Sequence, residues 1–486
     1  MNIRRLLILC LFPVVSAADP WLPPGDLSLR HDIELLADAG IVRGPVTTWP
    51  ISWPDIARDV LAATSAPADA ALQSALARIQ RAARRAAAPG WSGWAVRASA
   101  SEEPIALRSF AATSRDQGEI ELGSGYLGER WAARVVVTGV ANPADDQDVR
   151  FDGSYIGISL GNFMISAGAM EHWWGPGWEG SLVLSNNARP IPSFTVERNY
   201  TEASRRPVLR WFGPWRASIA IGQTDRNRVA VPDVRFFAAR VNFKPRPWLE
   251  FGLSRTAQWC GEGRPCSLSV FKDLLFGRDN RDASLTVNDE PGNQMAGYDM
   301  RLRSPWRRLP AAFYMQMIGE DEANHLPSKF LGLLGGEIWG GGEFGSWRLH
   351  AEYADTSCSF ARNNPQFDCA YRNGLYPQGY VYRGRVIGHT LDSDGRMTSL
   401  GALWLRPSGD SVSVLVRSIT LNRDGGVDAA NTQSTTRRKL SNVELGYNRD
   451  VGPGHLQIGA GYDDVTEGVD AGSTVRGFIQ WQQEFD

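Results

Sequence analysis

From Trp91 to the end of the 486-residue chain, apolar and polar side chains alternate with a period of two. Successive side chains of a β-strand point to opposite faces, so this period predicts strands with one apolar face. In the segment 236–243, one face carries Phe237, Ala239, Val241 and Phe243, and the opposite face carries Ala238, Arg240 and Asn242. A soluble β-sandwich alternates in the same way, but it usually ends after about 100 residues. A closed membrane barrel accommodates the whole pattern, because lipid covers its outside and polar side chains line its interior.

The connections between the predicted strands alternate in length, as in outer-membrane barrels with short periplasmic turns and long extracellular loops. Short turns such as Gly161-Asn162 and Gly213-Pro214 separate longer connections at 140–151, 169–206, 223–234, 256–295, 319–330, 355–397, 419–440 and 463–473. Residues 207–212 are thereby assigned to a strand. Counting from a first strand near Trp91–Ala100 gives about eighteen strands, the even number expected of a bacterial barrel. We therefore predict an all-β transmembrane barrel of antiparallel strands over residues 91–486, with both of its ends on the periplasmic side.

The first residues have the pattern of a secretory signal peptide. Arg4 and Arg5 precede an apolar run from Leu6 to Val15, and small residues follow at positions 16–17. This run is shorter than the roughly 20 residues that a membrane-spanning helix needs. We therefore predict that residues 1–17 direct export and are removed.

Residues 19–90 show the period of helices instead of strands. The first helix has an apolar face that carries Leu29, Ile33 and Leu36. Pro54 stands at a position that opens a second helix, and residues 68–88 show the apolar spacing of a third. We predict a small periplasmic helical bundle that packs against the barrel, with His31 at the surface or in a helix cap.

The cysteines agree with an exported chain. Cys10 lies within the predicted signal peptide, and the other four form two close pairs, Cys260/Cys266 and Cys358/Cys369. In an exported protein this spacing favours two local disulfides, although three connectivities are formally possible. Both pairs fall in long external loops. Metal ligation is less favoured because no His or Cys stands at a spacing typical of zinc sites.

The composition excludes some classes of protein. The formal net charge is −2, which gives no reason to expect nucleic acid as a partner. The chain has 50 glycines and 18 tryptophans, and no segment after the signal peptide has the ~18 consecutive apolar residues of a membrane-spanning helix. Such a composition fits an antiparallel β architecture.

The segment EHWWGPGWEGSLVLSNNARP, residues 171–190, holds the best candidates for a binding site. Flat aromatic rings stack on the apolar faces of sugars, and amides and guanidinium groups bind hydroxyls. The candidates for polysaccharide contact are Trp173, Trp174, Trp178, Asn186, Asn187, Arg189, Glu171 and His172. Two alternatives stay open for the tryptophans, namely an aromatic belt at the membrane interface and the packed core of a loop.

Glu171 and His172 raise the alternative of an enzyme that acts on envelope glycans. A glycosidase needs two carboxylates that face each other across a sugar, and the spacing here does not select such a pair. A structural hydrogen-bond network around Glu171 and His172 is the other interpretation. The chain has no G-x-S-x-G or H-E-x-x-H motif. We predict a non-catalytic protein without cofactor or metal, with a diffusion porin as a further alternative.

Several segments resemble the Wzi capsule-assembly family. They are DPWLPPGDLSLRHDIELLADAGIV, TTWPISW, EHWWGPGWEGSLVLSNNARPIPSFTVER, GRDN, EPGNQMAGYDMRLR and GEDEANHLPSK. The resemblance covers essentially the whole mature chain. It implies an eighteen-stranded outer-membrane barrel with a periplasmic helical bundle. It also implies a lectin-like role, in which external loops attach exported capsular or related polysaccharide to the cell surface, and no enzymatic activity.

The expected surroundings follow from this interpretation. Outer-membrane lipid and lipopolysaccharide would surround a monomeric barrel, and the barrel-assembly machinery would insert it. Chains of this type usually end on an aromatic residue, whereas Phe485 is followed here by Asp486.

Overall fold

The computed structural model describes residues 19–63, 67–225, 230–275, 292–306, 309–323 and 326–485. The predicted signal peptide, residues 1–17, and the GRDN motif, residues 277–280, lie outside these ranges.

Eighteen antiparallel strands in the described part of the chain form a closed barrel, which confirms the predicted fold class. The pairing of Phe485 with Trp94 and of Phe478 with Ser101 joins the last strand to the first. The strands are β1 (Gly90–Ser101), β2 (Gly118–Leu127), β3 (Trp131–Ala141), β4 (Val149–Arg150 and Tyr155–Leu160, both paired with β3), β5 (Phe163–Gly168), β6 (Ser193–Arg198), β7 (Trp215–Gln223), β8 (Arg235–Arg246), β9 (Leu249–Trp259), β10 (Gly292–Arg303), β11 (Ala311–Ala323), β12 (Leu326–Gly342), β13 (Gly345–Asp355), β14 (Arg396–Leu405), β15 (Ser411–Leu421), β16 (Arg438–Val451), β17 (Gly454–Glu467) and β18 (Gly472–Phe485).

The alternation of side chains follows the predicted faces. On β8, Val241 is exposed on the outer surface, whereas Arg240 and Asn242 are fully buried on the lumen side. Arg240 there binds Asp299 of β10 through two contacts of 2.5 and 2.9 Å. Polar side chains therefore satisfy one another inside the barrel while apolar side chains face outward.

One predicted strand is wrong and one strand was missed. The predicted long loop 169–206 contains β6, whose outward Phe194 and buried Thr195 and Glu197 alternate over only six residues. Residues 207–212, predicted as a strand, instead contain a 3₁₀ turn at Leu209–Phe212. The two errors offset each other, so the predicted number of strands is still confirmed.

Three helices precede the barrel and follow the predicted apolar periods. They are α1 (Leu27–Asp38), α2 (Trp53–Leu61) and α3 (Ala70–Ala86), with N-caps supplied by Asp26, Ser52 and Asp69. A fourth helix, α4 (Leu268–Leu275), lies in the long connection between β9 and β10. Within the described ranges, none of the helices is long and apolar enough to cross a membrane.

The bundle α1–α3 packs into the lumen at the end of the barrel that carries the short turns. Its apolar core includes Ala312 and Trp339 of the barrel wall. Asp38, at the end of α1, forms a two-pronged ion pair with Arg301 at 2.7 and 2.8 Å. The surface position predicted for His31 is wrong. Its ring is fully buried between Ser346 and Arg348 because α1 lies inside the barrel and not on its surface.

Candidate functional site

The connection between β5 and β6, residues 169–192, folds into the lumen, and we call it the lumen loop. Its Trp173 and Trp174 pair in antiparallel fashion with Trp49 and Thr48, which lie between α1 and α2 in residues 39–52, here called the N-terminal segment. The backbone N–H of Gly175 continues this pairing with a hydrogen bond of 3.0 Å to the carbonyl oxygen of Thr47. A loop that starts at the long-loop end of the barrel thus reaches the N-terminal segment that belongs to the bundle at the other end.

The three candidate tryptophans form the packed core of the lumen loop. Trp173 and Trp174 have no exposed surface, and Trp178 is 2% exposed. Trp178 donates from its indole N–H to Glu337 at 3.0 Å, and the guanidinium group of Arg30 lies 4.0 Å from its ring centre. The packed-core alternative for these rings agrees with this geometry, whereas none of the three lies at the lipid interface. No ring has a free face for sugar stacking in this conformation.

The candidate amides and Arg189 are also held by protein partners. Asn186 donates to the carbonyl oxygen of Phe110 at 3.0 Å, and Asn187 donates to that of Val386 at 2.9 Å. The guanidinium group of Arg189 contacts carboxylates of Asp145 and Asp152 at 2.6 and 2.7 Å. These side chains connect the lumen loop to neighbouring loops at the long-loop end.

Glu171 and His172 do not form a dyad in the described residues. Glu171 pairs with Arg115 at 3.2 Å. The His172 ring is packed edge-on to Trp174, and burial lowers the pKa of its imidazole to about 4. A neutral, buried imidazole that does not contact the adjacent carboxylate lacks the geometry of an acid/base pair.

The carboxylate of Glu179 anchors the next part of the lumen loop to the barrel wall. Glu179 contacts His350 of β13 and Arg417 of β15, both at 3.0 Å. Burial raises the pKa of Glu179, but Arg417 and His350 outweigh that effect and hold it at about 2. The close packing requires Gly180, because a Cβ there would collide with the ring of His389. The loop is therefore fixed to the wall by charge, and at Gly180 it packs closely against His389 of the connection between β13 and β14.

Sequence reasoning missed three arginines that surround the lumen loop. Arg108 donates to the carbonyl oxygen of Asn186, and Arg115 donates to those of residues 186–188. Arg385 contacts the side-chain oxygen of Asn187 at 3.4 Å, and burial, with the charge of Arg115, lowers its pKa to about 10. No sequence motif marks these residues, since these partners lie in distant segments of the chain.

The N-terminal segment is also tied to the wall, by hydrogen bonds to β8 and β9. The carboxylate of Glu250 on β9 accepts hydrogen bonds from the backbone N–H groups of Val46 and Thr47 at 3.0 and 2.8 Å. Arg240 donates to the hydroxyl of Thr48 at 2.6 Å. Bundle and loop together form a plug that occupies much of the lumen.

A cavity of about 750 Å³ remains between the plug and one part of the wall. Its lining includes paired charges on strands β1, β2, β16 and β18, namely Arg97, Glu121, Glu444 and Arg476. Opposite them lie side chains of the bundle and of the lumen loop. Across the described residues, no group of three or more His, Cys, Asp or Glu side chains could hold a metal ion.

The connection between β13 and β14, residues 356–395, lies on top of the lumen loop, and we call it the stapled loop. A disulfide joins Cys358 to Cys369, and a second joins Cys260 to Cys266, so both predicted pairs are confirmed. The hydroxyl of Tyr371, in the stapled loop, donates to the carbonyl oxygen of Leu182 at 2.9 Å.

The stapled loop also presents polar side chains to solvent. Arg362, Asn363 and Asn364 are exposed at its tip, between the two bonded cysteines. The stapled loop therefore forms this exposed polar surface, and the lumen loop supports the stapled loop from below.

A closed barrel, outward-facing apolar strands and an internal plug define the class of protein as a plugged β-barrel of the outer-membrane type. The family described as capsule assembly protein Wzi matches residues 89–473. The chain belongs to this family.

Relatives agree with this assignment. A Klebsiella pneumoniae protein, described as an uncharacterized 55.8 kDa protein in the cps region, is 34% identical over 340 residues. This match covers 69% of the present chain and 65% of that relative, slightly less than two thirds of its length. The fold is similar to that of Wzi from Escherichia coli, described as an outer membrane protein involved in group 1 capsule assembly and as a carbohydrate-binding β-barrel. The TM-score is 0.83 at 27% identity, over 96% of this chain and 99% of that chain.

Proposed function

We propose that this protein binds exported capsular or related polysaccharide and attaches it to the cell surface without catalysing a reaction. The observation that carries the proposal is the membership of the Wzi family, together with the fold shared with a barrel described as carbohydrate-binding. In the proposed orientation the helices α1–α3 face the periplasm and the long loops face the exterior.

The stapled loop is the proposed contact surface for the polymer. Its exposed tip offers a guanidinium group and two amides, which bind sugar hydroxyls and carboxylates. Trp173, Trp174, Trp178, Asn186, Asn187 and Arg189 then act indirectly, by holding the lumen loop beneath this surface. Each contact with the polymer is weak, and a repeating polymer engages many barrels at once, so avidity supplies retention.

The internal plug supports this role over that of a diffusion porin. Large solutes need an open lumen, and here helices and the lumen loop occupy much of it. The arrangement of Glu171 and His172 likewise gives no support to a glycan-cleaving enzyme. Glu171 is paired with Arg115, and the ring of His172 is packed against Trp174.

A binding assay with purified protein tests the proposal. The full chain in detergent is incubated with immobilised surface polysaccharide from the source bacterium, and bound protein is measured against salt concentration. We expect the triple variant Arg362→Ala/Asn363→Ala/Asn364→Ala to bind several-fold more weakly. A control variant at exposed positions on α3, Arg81→Ala/Arg84→Ala/Arg85→Ala, removes more positive charge and should still bind like the wild type. Equal binding of all three proteins would show that the tip of the stapled loop is not part of the contact surface. If the wild type does not bind the polysaccharide, the proposed function is wrong.

A further inference from the structure

A short segment at the short-turn end lies outside the barrel wall. Residues 203–214, which we call the outer segment, connect β6 to β7. The ends of this connection are held together by a hydrogen bond of 3.0 Å from the backbone N–H of Trp215 to the carbonyl oxygen of Thr201. Gly213, with φ of +67°, allows the segment to approach the backbone of Lys244 more closely than a Cβ would permit. The segment is thus fixed at one place on the barrel.

The outer segment packs on the lipid-facing side of the wall. The ring of Phe212 contacts Phe243 of β8 edge-on, with 5.1 Å between the ring centres. Phe243 shares a face with the outward Val241, opposite the lumen-facing Arg240. Beyond this contact, Val208 is 77% exposed and Trp211 is 74% exposed. Apolar groups on the outside of a membrane barrel, close to its rim, are placed to enter the acyl region of the bilayer.

The same segment carries three cations and no acidic residue. Arg205, Arg206 and Arg210 are exposed, and within the described residues no carboxylate forms an ion pair with any of their guanidinium groups. A fourth cation, Arg198, lies at the adjoining end of β6, with its guanidinium group 4.0 Å from the ring centre of Trp215. Unpaired arginines beside exposed aromatic and aliphatic side chains are the combination found in interfacial membrane-binding elements.

We propose that the outer segment binds the headgroup of an anionic phospholipid. Val208 and Trp211 enter the acyl region, while the guanidinium groups of Arg205, Arg206 and Arg210 contact the headgroup phosphate. Guanidinium groups bind phosphate oxygens through paired N–H donors, and the surplus of positive charge favours a lipid with net negative charge over a zwitterionic one. The exposed apolar side chains favour a lipid over a soluble phosphate. This inference concerns the attachment of the barrel to its membrane and does not rest on polysaccharide binding.

Native mass spectrometry of the full chain in detergent tests the inference. The wild type is titrated with phosphatidylglycerol and, separately, with phosphatidylcholine of the same acyl chains. We expect about tenfold tighter binding of phosphatidylglycerol by the wild type, and loss of most of this preference in Arg205→Gln/Arg206→Gln/Arg210→Gln. The control Arg81→Gln/Arg84→Gln/Arg85→Gln removes the same charge from exposed positions on α3 and should keep the preference.

Three results would overturn the assignment. They are equal binding of the two lipids by the wild type, an equal loss in the test and control variants, and full displacement of the lipid by millimolar glycerol phosphate. The last result would indicate a site for soluble phosphate. A second variant, Trp211→Ser, keeps every charge, and we expect it to weaken phosphatidylglycerol binding several-fold. The polysaccharide assay should give wild-type values for all these variants, so a failure here is distinct from a failure of the proposed function.

Discussion

Trp173 and Trp49 face each other across the short antiparallel pair that joins the lumen loop to the N-terminal segment. Both rings contact Phe110 edge-on, with centre distances of 5.3 and 5.2 Å. Phe110 itself belongs to the connection between β1 and β2. Three segments that are far apart in the chain therefore meet in one aromatic cluster. The packing of each segment depends on the rings of the other two.

Removing the shared ring should loosen the plug. We expect Phe110→Ala to destabilise the plug by about 3–5 kcal/mol, because the variant leaves a cavity between two buried tryptophans. Limited proteolysis of folded protein in detergent measures this as faster cleavage in the connections between α1, α2 and α3. Phe344→Ala, at an exposed position in a short turn, is the control and should be cleaved like the wild type. Equal protection of Phe110→Ala and wild type would contradict the role given to the cluster.

The contact between Glu250 and the N-terminal segment should be sensitive to charge. The Glu250 carboxylate accepts hydrogen bonds from the backbone N–H groups of Val46 and Thr47. In Glu250→Gln, the amide N–H donors would face one of these two backbone N–H groups. We expect a loss of about 1–3 kcal/mol in the attachment of the segment, measured as an earlier urea midpoint for its protease protection. Glu262→Gln changes an exposed carboxylate and should leave that midpoint in place.

Acid should weaken the lumen loop and its contacts in two stages. Burial lowers the pKa of His172 to about 4 and that of His389 to about 3, so both rings stay neutral in the folded protein. Between pH 6.5 and about 4 only the unfolded chain takes up these protons, and stability falls by at most about 1.4 kcal/mol per pH unit for each ring. Glu179, whose pKa is held at about 2, adds a second loss between pH 4.5 and 2.

Thermal unfolding from pH 7.5 to 4 measures the first stage. The variant His172→Asn/His389→Asn should show a flatter dependence of Tm on pH than the wild type. His455→Asn, at an exposed position near the start of β17, should keep the wild-type slope. If Tm depended on pH equally in all three proteins, the buried rings of His172 and His389 would not be the cause of the loss of stability in acid.

The disulfide of the stapled loop should matter for polymer binding. In the chain-entropy account, a bond across the Cys358–Cys369 loop is worth about 3 kcal/mol. We expect Cys358→Ser/Cys369→Ser to increase tryptic cleavage at Arg362 and to lower polysaccharide affinity. Cys260→Ser/Cys266→Ser opens the other bonded loop and should preserve both quantities, although Tyr376 contacts the backbone of Cys260. An unchanged affinity in the first variant would mean that the loop's order is set by its other contacts.

The fold was largely predictable because lipid imposes a simple rule. Every second side chain of a spanning strand must be apolar, and Val241 next to Arg240 illustrates the rule. The rule is weaker for short strands. β6 has only six residues and lies within the predicted long loop 169–206. The apolar run near Trp211 was predicted as a strand, although it lies outside the wall.

The candidate site was less predictable, because burial in the lumen depends on distant partners. The composition of residues 171–190 is consistent both with sugar contact and with packing. Trp178 is packed through Arg30, Glu337 and His350, which are more than 140 residues away on either side. No local pattern specifies these contacts, so the sequence indicated the importance of the segment and not its position inside the barrel.

The most direct test of the account is the partition of polysaccharide between cells and medium. A deletion strain of the source bacterium is complemented with wild-type protein or with the Arg362→Ala/Asn363→Ala/Asn364→Ala variant, at matched levels of folded barrel. We predict that total polymer is unchanged in the deletion strain and that most of it is released into the medium. The wild type should restore attachment, and the variant should restore it only in part. Polymer that remains on the cells in the deletion strain would contradict the proposal that this barrel attaches it.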